Sequence, residues 1–527
     1  MVMTAPLLRE DYWETFQLQQ DDIEFLYNHL LETETPLTSQ ELLEVLVHER
    51  IRLEKEAIEH QRASRGETYK PASRYQVSQR LVFPALAWLQ GEVTAVRAGN
   101  NPDLGEFDVI RVTFENGDVR EYASNLTKHA LNEPIQITED EQGLNLGFVY
   151  DNYQESLLES LDEGLSTNRD FVRIAGKWFP RALLVDINAG HLNLAEAILD
   201  VAGGGPLSTQ AVLEQIEIPA NVNTKLLEFS MDHALQEDER FDEVGAAGEV
   251  VWYLRRLEPE QVLEPPIYLR YPGIDYERSL LTEQMLELER ELDDELSPLE
   301  GRHQPQDEVQ LRLIFPHWRA GTLPLSSRLR HLFPTAYESP RIQFTLVDGT
   351  SKEKLPAWVV RPKRYVYGLK EWFESNNLIP GSLIRVQRGK SPGEVIIYAD
   401  THRPSREWVR TVLVGSDGGI VFAMLKQTIQ SHFDERMTIA VPDPEAVDQV
   451  WVQMNKERPA FEKVVVNTVR ELSKLNPQGH VHASELYAAL NVVRRYPPGP
   501  VMSLLASRPW FTHVGDLHFR FNDNERG

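Results

Sequence analysis

Gly368-Leu-Lys-Glu-Trp-Phe-Glu-Ser-Asn-Asn-Leu-Ile-Pro-Gly-Ser-Leu-Ile-Arg385 passes from a short amphipathic helix, through an Asn-rich turn and a Pro-Gly corner, into an alternating strand. The flanking sequence keeps the strand period. Apolar residues recur at Val309, Leu311, Leu313 and Phe315, at Ile342, Phe344 and Leu346 before Asp348-Gly349, at Trp358 to Val360, and at Val395 to Ile397. Short strands broken by turn residues, with one helix at Leu369 to Ser375, predict a small β-barrel over 309–400. Residues 309–415 hold 17 Lys and Arg against 8 Asp and Glu, in a chain whose net charge is -27. A local reversal of that size is the footprint expected of a surface that meets phosphate.

The helix-to-strand passage resembles that of the plant-type DNA-binding pseudobarrel, an architecture shared by restriction effector domains of the EcoRII kind. Ser382 stands where that family usually has Asp, and Leu369 where Trp is common. The resemblance implies that two loops grip the major groove of double-stranded DNA. The first would follow Phe315 and offer Arg319, Arg328 and Arg330; the second would be Arg361-Pro-Lys363-Arg364-Tyr365-Val-Tyr367. The guanidinium fork suits a guanine edge or a phosphate, whereas Lys363 adds mainly a point charge. The plainer alternative is a solvated hairpin tip, with the arginines paired to acidic residues upstream.

Those acids lie in 277–308, where Glu283, Glu287, Glu289, Glu291, Asp293, Asp294 and Glu295 crowd together before Ser297-Pro298. Leu280, Leu281, Met285, Leu288 and Leu292 give the stretch a helical face. The simplest expectation is an amphipathic linker helix at a domain boundary. The sharper one is a strap that folds over the basic unit in place of phosphate.

Internal repetition organises the rest. Pro206-Leu-Ser-Thr-Gln-Ala-Val-Leu-Glu-Gln-Ile216 repeats Pro36 to Val47, and His482 to Leu490 is a weaker third copy. Thr38 or Ser39 is a candidate helix cap, with Glu41 reaching back. A second signature sets two aromatics on either side of a glycine turn: Phe171…Gly176…Trp178, Phe241…Gly245…Trp252 and Phe511…Gly515…Phe519. Helix, capped helix, helix and hairpin is the order of a winged helix-turn-helix. Pro206 to Leu257, with Leu227-Glu228-Phe229 and Trp252-Tyr253-Leu254-Arg255, resembles the HARE-type winged helices, which include the N-terminal domain of the bacterial RNA polymerase delta subunit. That resemblance implies association with DNA or a transcription complex. Asp232, Glu237, Asp238, Glu239, Asp242 and Glu243 crowd this copy, which favours protein docking; Arg50, Arg52, Lys55, Arg62 and Arg65 make the first copy the better candidate for nucleic acid. The alternative for that basic run is a solvated helix face interleaved with Glu49, Glu54, Glu56 and Glu59. The strands at 169–184 belong to the first copy or to a further degenerate one.

The expected architecture is therefore α+β and multidomain, with winged-helix modules flanking a central barrel. Its parts are a helical module at 1–66, an SH3- or Tudor-like strand-rich unit at 67–130 with Asn116-Gly117 as a hairpin turn, and a degenerate segment at 131–190. A HARE-like module follows at 191–262, then the acidic linker at 263–308, the barrel at 309–400, an α/β connector at 401–458 and a C-terminal winged helix at 459–527. At 527 residues about three or four domains are the ordinary expectation. Zero cysteines exclude disulfides, thiolate zinc sites and a cysteine nucleophile, and agree with a cytoplasmic location. There is no membrane-length apolar run and no secretory pattern at the N-terminus.

Chemical motifs are missing. No phosphate-cradling Gly-rich loop, Gly-x-Ser-x-Gly elbow or His-Glu-x-x-His helix occurs, and Gly203-Gly204-Gly205 reads as a turn. Pro442-Asp443-Pro444-Glu445 lacks the Glu-x-Lys that would complete a nuclease motif, and His480 and His482, with no neighbouring third ligand in sequence, read as surface or capping residues. The expectation is a bacterial-type, non-catalytic DNA-binding protein without cofactor or metal, acting in transcription regulation or recognition of specific or modified DNA. The alternative is an acidic adaptor that docks on RNA polymerase or another protein.

Overall fold

The computed structural model describes residues 11–522 apart from 65–66, 84–85, 87–88, 102–105, 115–116, 133–143, 217, 219–222, 299–305, 390, 392 and 417, and without the side chains of 57–64 and 130. Asn116 and Arg65, and the side chains of Glu59 and Arg62, thus lie outside the described residues. The protein is a mixed α+β chain that forms two compact units, one of 1–184 with 222–229, the other of 185–221 with 230–527. Among the described residues no helix is long and apolar enough to cross a membrane.

In the first unit the helix Gln20–Thr33 leads through the short strand Leu37–Thr38 into the helix Ser39–Ser64. Thr38 caps that second helix: its hydroxyl accepts from Glu41 N at 3.2 Å, while Glu41 Oε2 takes the Thr38 N–H at 2.8 Å. Leu42, Leu43, Leu46 and Val47 form its buried stripe. The expected strand-rich unit follows as a five-stranded sheet around Tyr69, Leu81, Phe83, Val93, Ile110, Val112 and Phe114. The chain then returns through the helix Leu146–Thr167 to the hairpin Phe171–Ile174 and Lys177–Pro180. Ala175 and Gly176 both have positive φ at its tip, 47° and 76°, the conformation a two-residue hairpin turn demands. Trp178 pairs with Leu37, so the hairpin closes the first module across the inserted sheet.

The same order recurs twice in the second unit. The helix Ala189–Val201, the strand Leu207–Ser208, the helix Thr209–Leu213 and the part of Thr224–Gln236 from Ser230 onward pack with the hairpin Phe241–Glu243 and Val251–Leu254. At the C-terminus Phe461–Ser473, His480–His482, Ala483–Val493 and Pro498–Ser507 precede the hairpin Phe511–Gly515 and His518–Phe521. In all three copies the short strand pairs with the second hairpin strand. A hydrogen-bonded triad marks the first two, part-buried in the first and buried in the second. Trp178 Nε1 donates to Ser39 Oγ at 3.0 Å, and Ser39 Oγ donates to Asp162 Oδ1 at 2.5 Å. Trp252 Nε1 likewise bonds Thr209 Oγ1 at 3.1 Å and Asp232 Oδ1 at 3.0 Å, and Thr209 bonds Asp232. The third copy has Ala483 and Phe519 at the corresponding places, and Pro498–Ser507 carries no acid. Either every member is paired or the site is apolar, because a lone buried polar group costs about 1–3 kcal/mol.

Between these modules lies the curled seven-stranded half-barrel. Its strands run in the order Glu308–Arg312, Leu383–Arg388, Glu394–Ala399, Arg341–Asp348, Lys354–Val360, Tyr365–Tyr367 and Thr322–Pro324. All pairings are antiparallel except that of Arg341–Asp348 with Glu394–Ala399. Leu313, Ile342, Leu346, Val359, Ile384 and Ile397 alternate into one core with Trp372 and Phe373 of the helix Lys370–Ser375. The expected α/β connector is a long hairpin, Thr401–Val414 with Ile420–Ser431, followed by the helix Pro444–Glu457. Val412 and Phe422 near its tip enter the C-terminal core. Asp443 caps the helix through Ala446 N at 3.0 Å, which accounts for the Pro-Asp-Pro-Glu sequence.

Candidate nucleic-acid interface

Pairing of Thr322–Pro324 with Tyr365–Tyr367 continues into a bond from Leu325 N to Arg364 O at 2.8 Å, which sets residues 326–330 beside 361–364. The two predicted arms are therefore neighbours, but neither projects as a long loop. The first runs through the helix Phe315–Ala320, the edge strand and a 3-10 turn at Leu329–His331; the second is the single 3-10 turn Arg361–Lys363, closed by Arg364 at φ 55°. Short connections leave these side chains within reach of the rest of the unit.

The acidic segment takes up much of that reach. Thr282 caps the helix Glu283–Leu292, whose Met285 and Leu288 are buried with Leu281 in the C-terminal core. Asp293 ends the helix in the left-handed region, at φ 48°. Its carboxylate accepts from Ser326 Oγ at 2.5 Å and Ser327 Oγ at 2.8 Å and pairs with Arg328 Nε at 3.2 Å. Glu291 pairs with Arg312 at 2.5 Å, and Glu295 O accepts from Arg364 Nη1 at 3.0 Å. The amphipathic helix is thus no surface linker.

Its next two acids go further inward. Arg495, wholly buried, reaches Asp294 Oδ1 at 2.6 Å and Glu295 Oε1 at 2.8 Å. Tyr487 donates to Asp294, Asn491 Oδ1 accepts from Arg495 at 3.0 Å, and His317 Nε2 lies 3.2 Å from Glu295. Burial pushes the Asp294 carboxyl up; at Glu295 burial acts the same way but is outweighed by Arg495 and His317, which hold it well below the ordinary range. Buried charges of this kind persist only when paired and hydrogen-bonded. The cluster fixes 293–295 against both the half-barrel and the C-terminal helices.

The residues singled out from sequence fall into three groups. Arg319 grips Asp448 with two bonds, at 3.0 and 2.5 Å, and Arg328 is held by Asp293. Tyr365, 1% exposed, donates to Gln261 O at 2.6 Å and Tyr367 donates to the Gln261 side chain at 3.2 Å, so both tie the sheet to the helix Glu260–Leu263. Arg361 donates to Ser339 O at 2.7 Å and Arg364 to Glu295 O. Arg361, Arg364, Arg330 and the exposed Lys363 have no carboxylate partner among the described residues. Ser382 is buried, and its hydroxyl accepts from Ile379 N at 2.9 Å.

One surface had no signal in the sequence pattern. Trp408, 62% exposed, projects from the long hairpin with the Lys426 ammonium 5.4 Å from its ring centre. Trp408 pairs with Lys426 across the strands and Arg406 with Thr428, so these four share a face, while Glu407 points to the other. Arg403 and Arg406 are exposed and have no carboxylate partner among the described residues. An aromatic ring among cations is a surface on which a base or a sugar–phosphate chain can rest. Only the aligned hairpin reveals it, because Trp408 and Lys426 belong to different strands.

The repeated modules expose fewer unpaired charges than their composition suggests. Arg50 bonds Asp22 at 2.6 Å, and Arg52 pairs with Glu49 and Glu56 along its own helix. In the second copy Asp232 belongs to the buried triad, Asp238 pairs with Arg240, and Asp242 bonds Arg341. Burial raises the Glu243 carboxyl to about 8 although it accepts the Gly245 N–H. Gly203, Gly204 and Gly205 all have positive φ and close the end of the preceding helix, with Gly204 N donating to Leu199 O at 2.8 Å. Compared with known proteins, the chain matches no family model, no curated protein and no solved structure.

Proposed function

We propose that this chain is a non-catalytic DNA-associated protein whose half-barrel and long hairpin contact the phosphates of double-stranded DNA. The reading rests on one observation. In a chain of net charge -27, the half-barrel and hairpin carry Arg330, Arg361, Lys363, Lys370, Arg388, Arg403 and Arg406 without a carboxylate partner among the described residues. The curled sheet is read as the pseudobarrel, and the three helix–hairpin copies as HARE-type winged helices that add DNA or protein contacts. The five-stranded sheet is read as an SH3- or Tudor-like accessory. The process served is transcription regulation or recognition of particular or modified DNA.

A second reading is favoured by the capture of Arg312, Arg319 and Arg328 by Glu291, Asp448 and Asp293. In it the basic unit is neutralised from within and the protein is an adaptor docking on RNA polymerase or another protein. Salt-titrated binding of the intact chain to duplex DNA separates the two. Phosphate contact gives an affinity that falls linearly in log–log form, by about 0.9 per phosphate neutralised. No salt-dependent affinity at low ionic strength removes the DNA reading. The intact chain is required because Asp293 to Glu295 and the hairpin complete the half-barrel's surroundings.

A further inference from the structure

We propose that His482, Asp516 and His518 form a divalent-metal site of the zinc class. His480 and His482 offered no third ligand in sequence, but the C-terminal sheet supplies two. His482 of the strand His480–His482 pairs directly with His518 of His518–Phe521, and Asp516 occupies the turn just before that strand. One ligand atom from each of the three lies within 4.8 Å of the others.

The hydrogen bonds position both imidazoles and leave Nε2 of His518 available. His518 Nδ1 is 3.0 Å from the Asp516 carbonyl oxygen. A carbonyl only accepts, so Nδ1 carries the proton and Nε2 keeps its lone pair. His482 Nε2 faces Arg436 Nη1 at 3.1 Å. On the other side of the ring, Nδ1 caps the helix Ala483–Val493, accepting from Ser484 N at 3.1 Å and lying 2.7 Å from Ser484 Oγ. The His518 ring is thus oriented from behind by a carbonyl on Nδ1, the arrangement that fixes histidines as metal ligands, and the His482 ring is held in place by its contacts with Ser484.

Arg436 holds the position of the cation. Its guanidinium sits beside His482 Nε2 and 3.6 Å from the Asp516 carboxylate, on a side chain that is half exposed and free to swing outward. Two imidazoles and one carboxylate with a fourth position open to water match zinc, whereas magnesium and calcium prefer oxygen alone. Tetrahedral coordination at zinc–ligand distances near 2.0–2.2 Å needs ligand atoms about 3.3 Å apart. Asp516, on an exposed turn with φ 45°, can supply that closure by rotating its side chain. Metal entry would replace Arg436 with an ion and tie the hairpin tip to the start of the helix Ala483–Val493. Without cysteine in the chain, a zinc site must be built from such nitrogen and oxygen donors.

The test is calorimetric titration of untagged, full-length protein with Zn2+ at physiological salt and excess Mg2+. Wild type should bind one equivalent with Kd below about 10 µM. His518→Ala and Asp516→Asn should each weaken binding by about tenfold or more. Arg436→Ala should tighten it by about tenfold, since the competing cation is gone. His402→Ala is the control, because His402 and His432 form the other close imidazole pair among the described residues, 5.0 Å between ring centres; it should change nothing. The proposal is overturned if neither wild type nor Arg436→Ala binds zinc in this range, if His518→Ala binds as tightly as wild type, or if His402→Ala removes the signal. A zinc-dependent rise in melting temperature, lost in His518→Ala, gives a second readout.

Discussion

Arg495 and Lys363 represent two fates of positive charge in the same unit. Arg495 is wholly buried between two carboxylates, whereas Lys363 is exposed and has no carboxylate partner among the described residues. Arg312, Arg319 and Arg328, part of the same basic stretch, fall on the inward side of this divide. A charge count records groups without their partners; burial and pairing decide how much field reaches solvent. The acidic segment and the basic half-barrel, opposite anomalies in composition, neutralise each other in part, through Arg312–Glu291 and Arg328–Asp293. What stays without a carboxylate partner among the described residues includes the 361–364 turn, the exposed Lys370 and Arg388, and the Trp408 face of the hairpin.

The sharpest way to break the comparison is Arg495→Ala. It strands Asp294 and Glu295 in a dry interior, so denaturant unfolding should show a loss of about 3–5 kcal/mol. A loss under about 1 kcal/mol would mean that the cluster is hydrated and that 293–295 is loosely held.

A carboxylate gives the next effect. Burial raises Glu243 to about 8, above its value in the unfolded chain, so the folded state binds more protons between those two values. Its contribution is complete below the unfolded pKa, near 4.3, and is lost as pH rises through about 8. Glu243→Gln should therefore raise the melting temperature more at pH 7.5 than at pH 5, and equal shifts at both would show that the group is solvated.

The smallest structural effect belongs to Lys363→Glu. Stability should change by no more than about 0.5 kcal/mol, as for other exposed surface sites. The salt slope of DNA binding should nevertheless fall by about one or more. An unchanged slope would move the interface away from the 361–364 turn, towards the hairpin face.

Local chemistry was legible in the sequence, and partnership was not. The strand period gave the half-barrel, and the Thr38–Glu41 spacing gave a cap that the structure contains. The aromatic–glycine–aromatic signature marked all three hairpins. Neither motif nor charge reports loop length or partners in space: Arg319 sits on a helix opposite Asp448, and Tyr365 is packed. Ser39, Asp162 and Trp178 could not be joined by reading, since each is an ordinary residue on a separate element. His518 was missed as a companion of His482 for the same reason: strand pairing, not sequence spacing, brings them together.

The sheet inserted into the first module has a kinetic consequence. The Ser39–Asp162 bond joins residues 123 apart, whereas the equivalent Thr209–Asp232 bond spans 23. For a flexible chain the longer closure costs about 1.5 kcal/mol more in entropy, and such non-local contacts slow folding. Four of the five inserted strands form a local antiparallel meander. If it folds first it draws its own ends together and shortens the effective loop. The inserted sheet then acts as a folding tether, and the refolding rate of the first module should follow the stability of a domain that is absent from the other two.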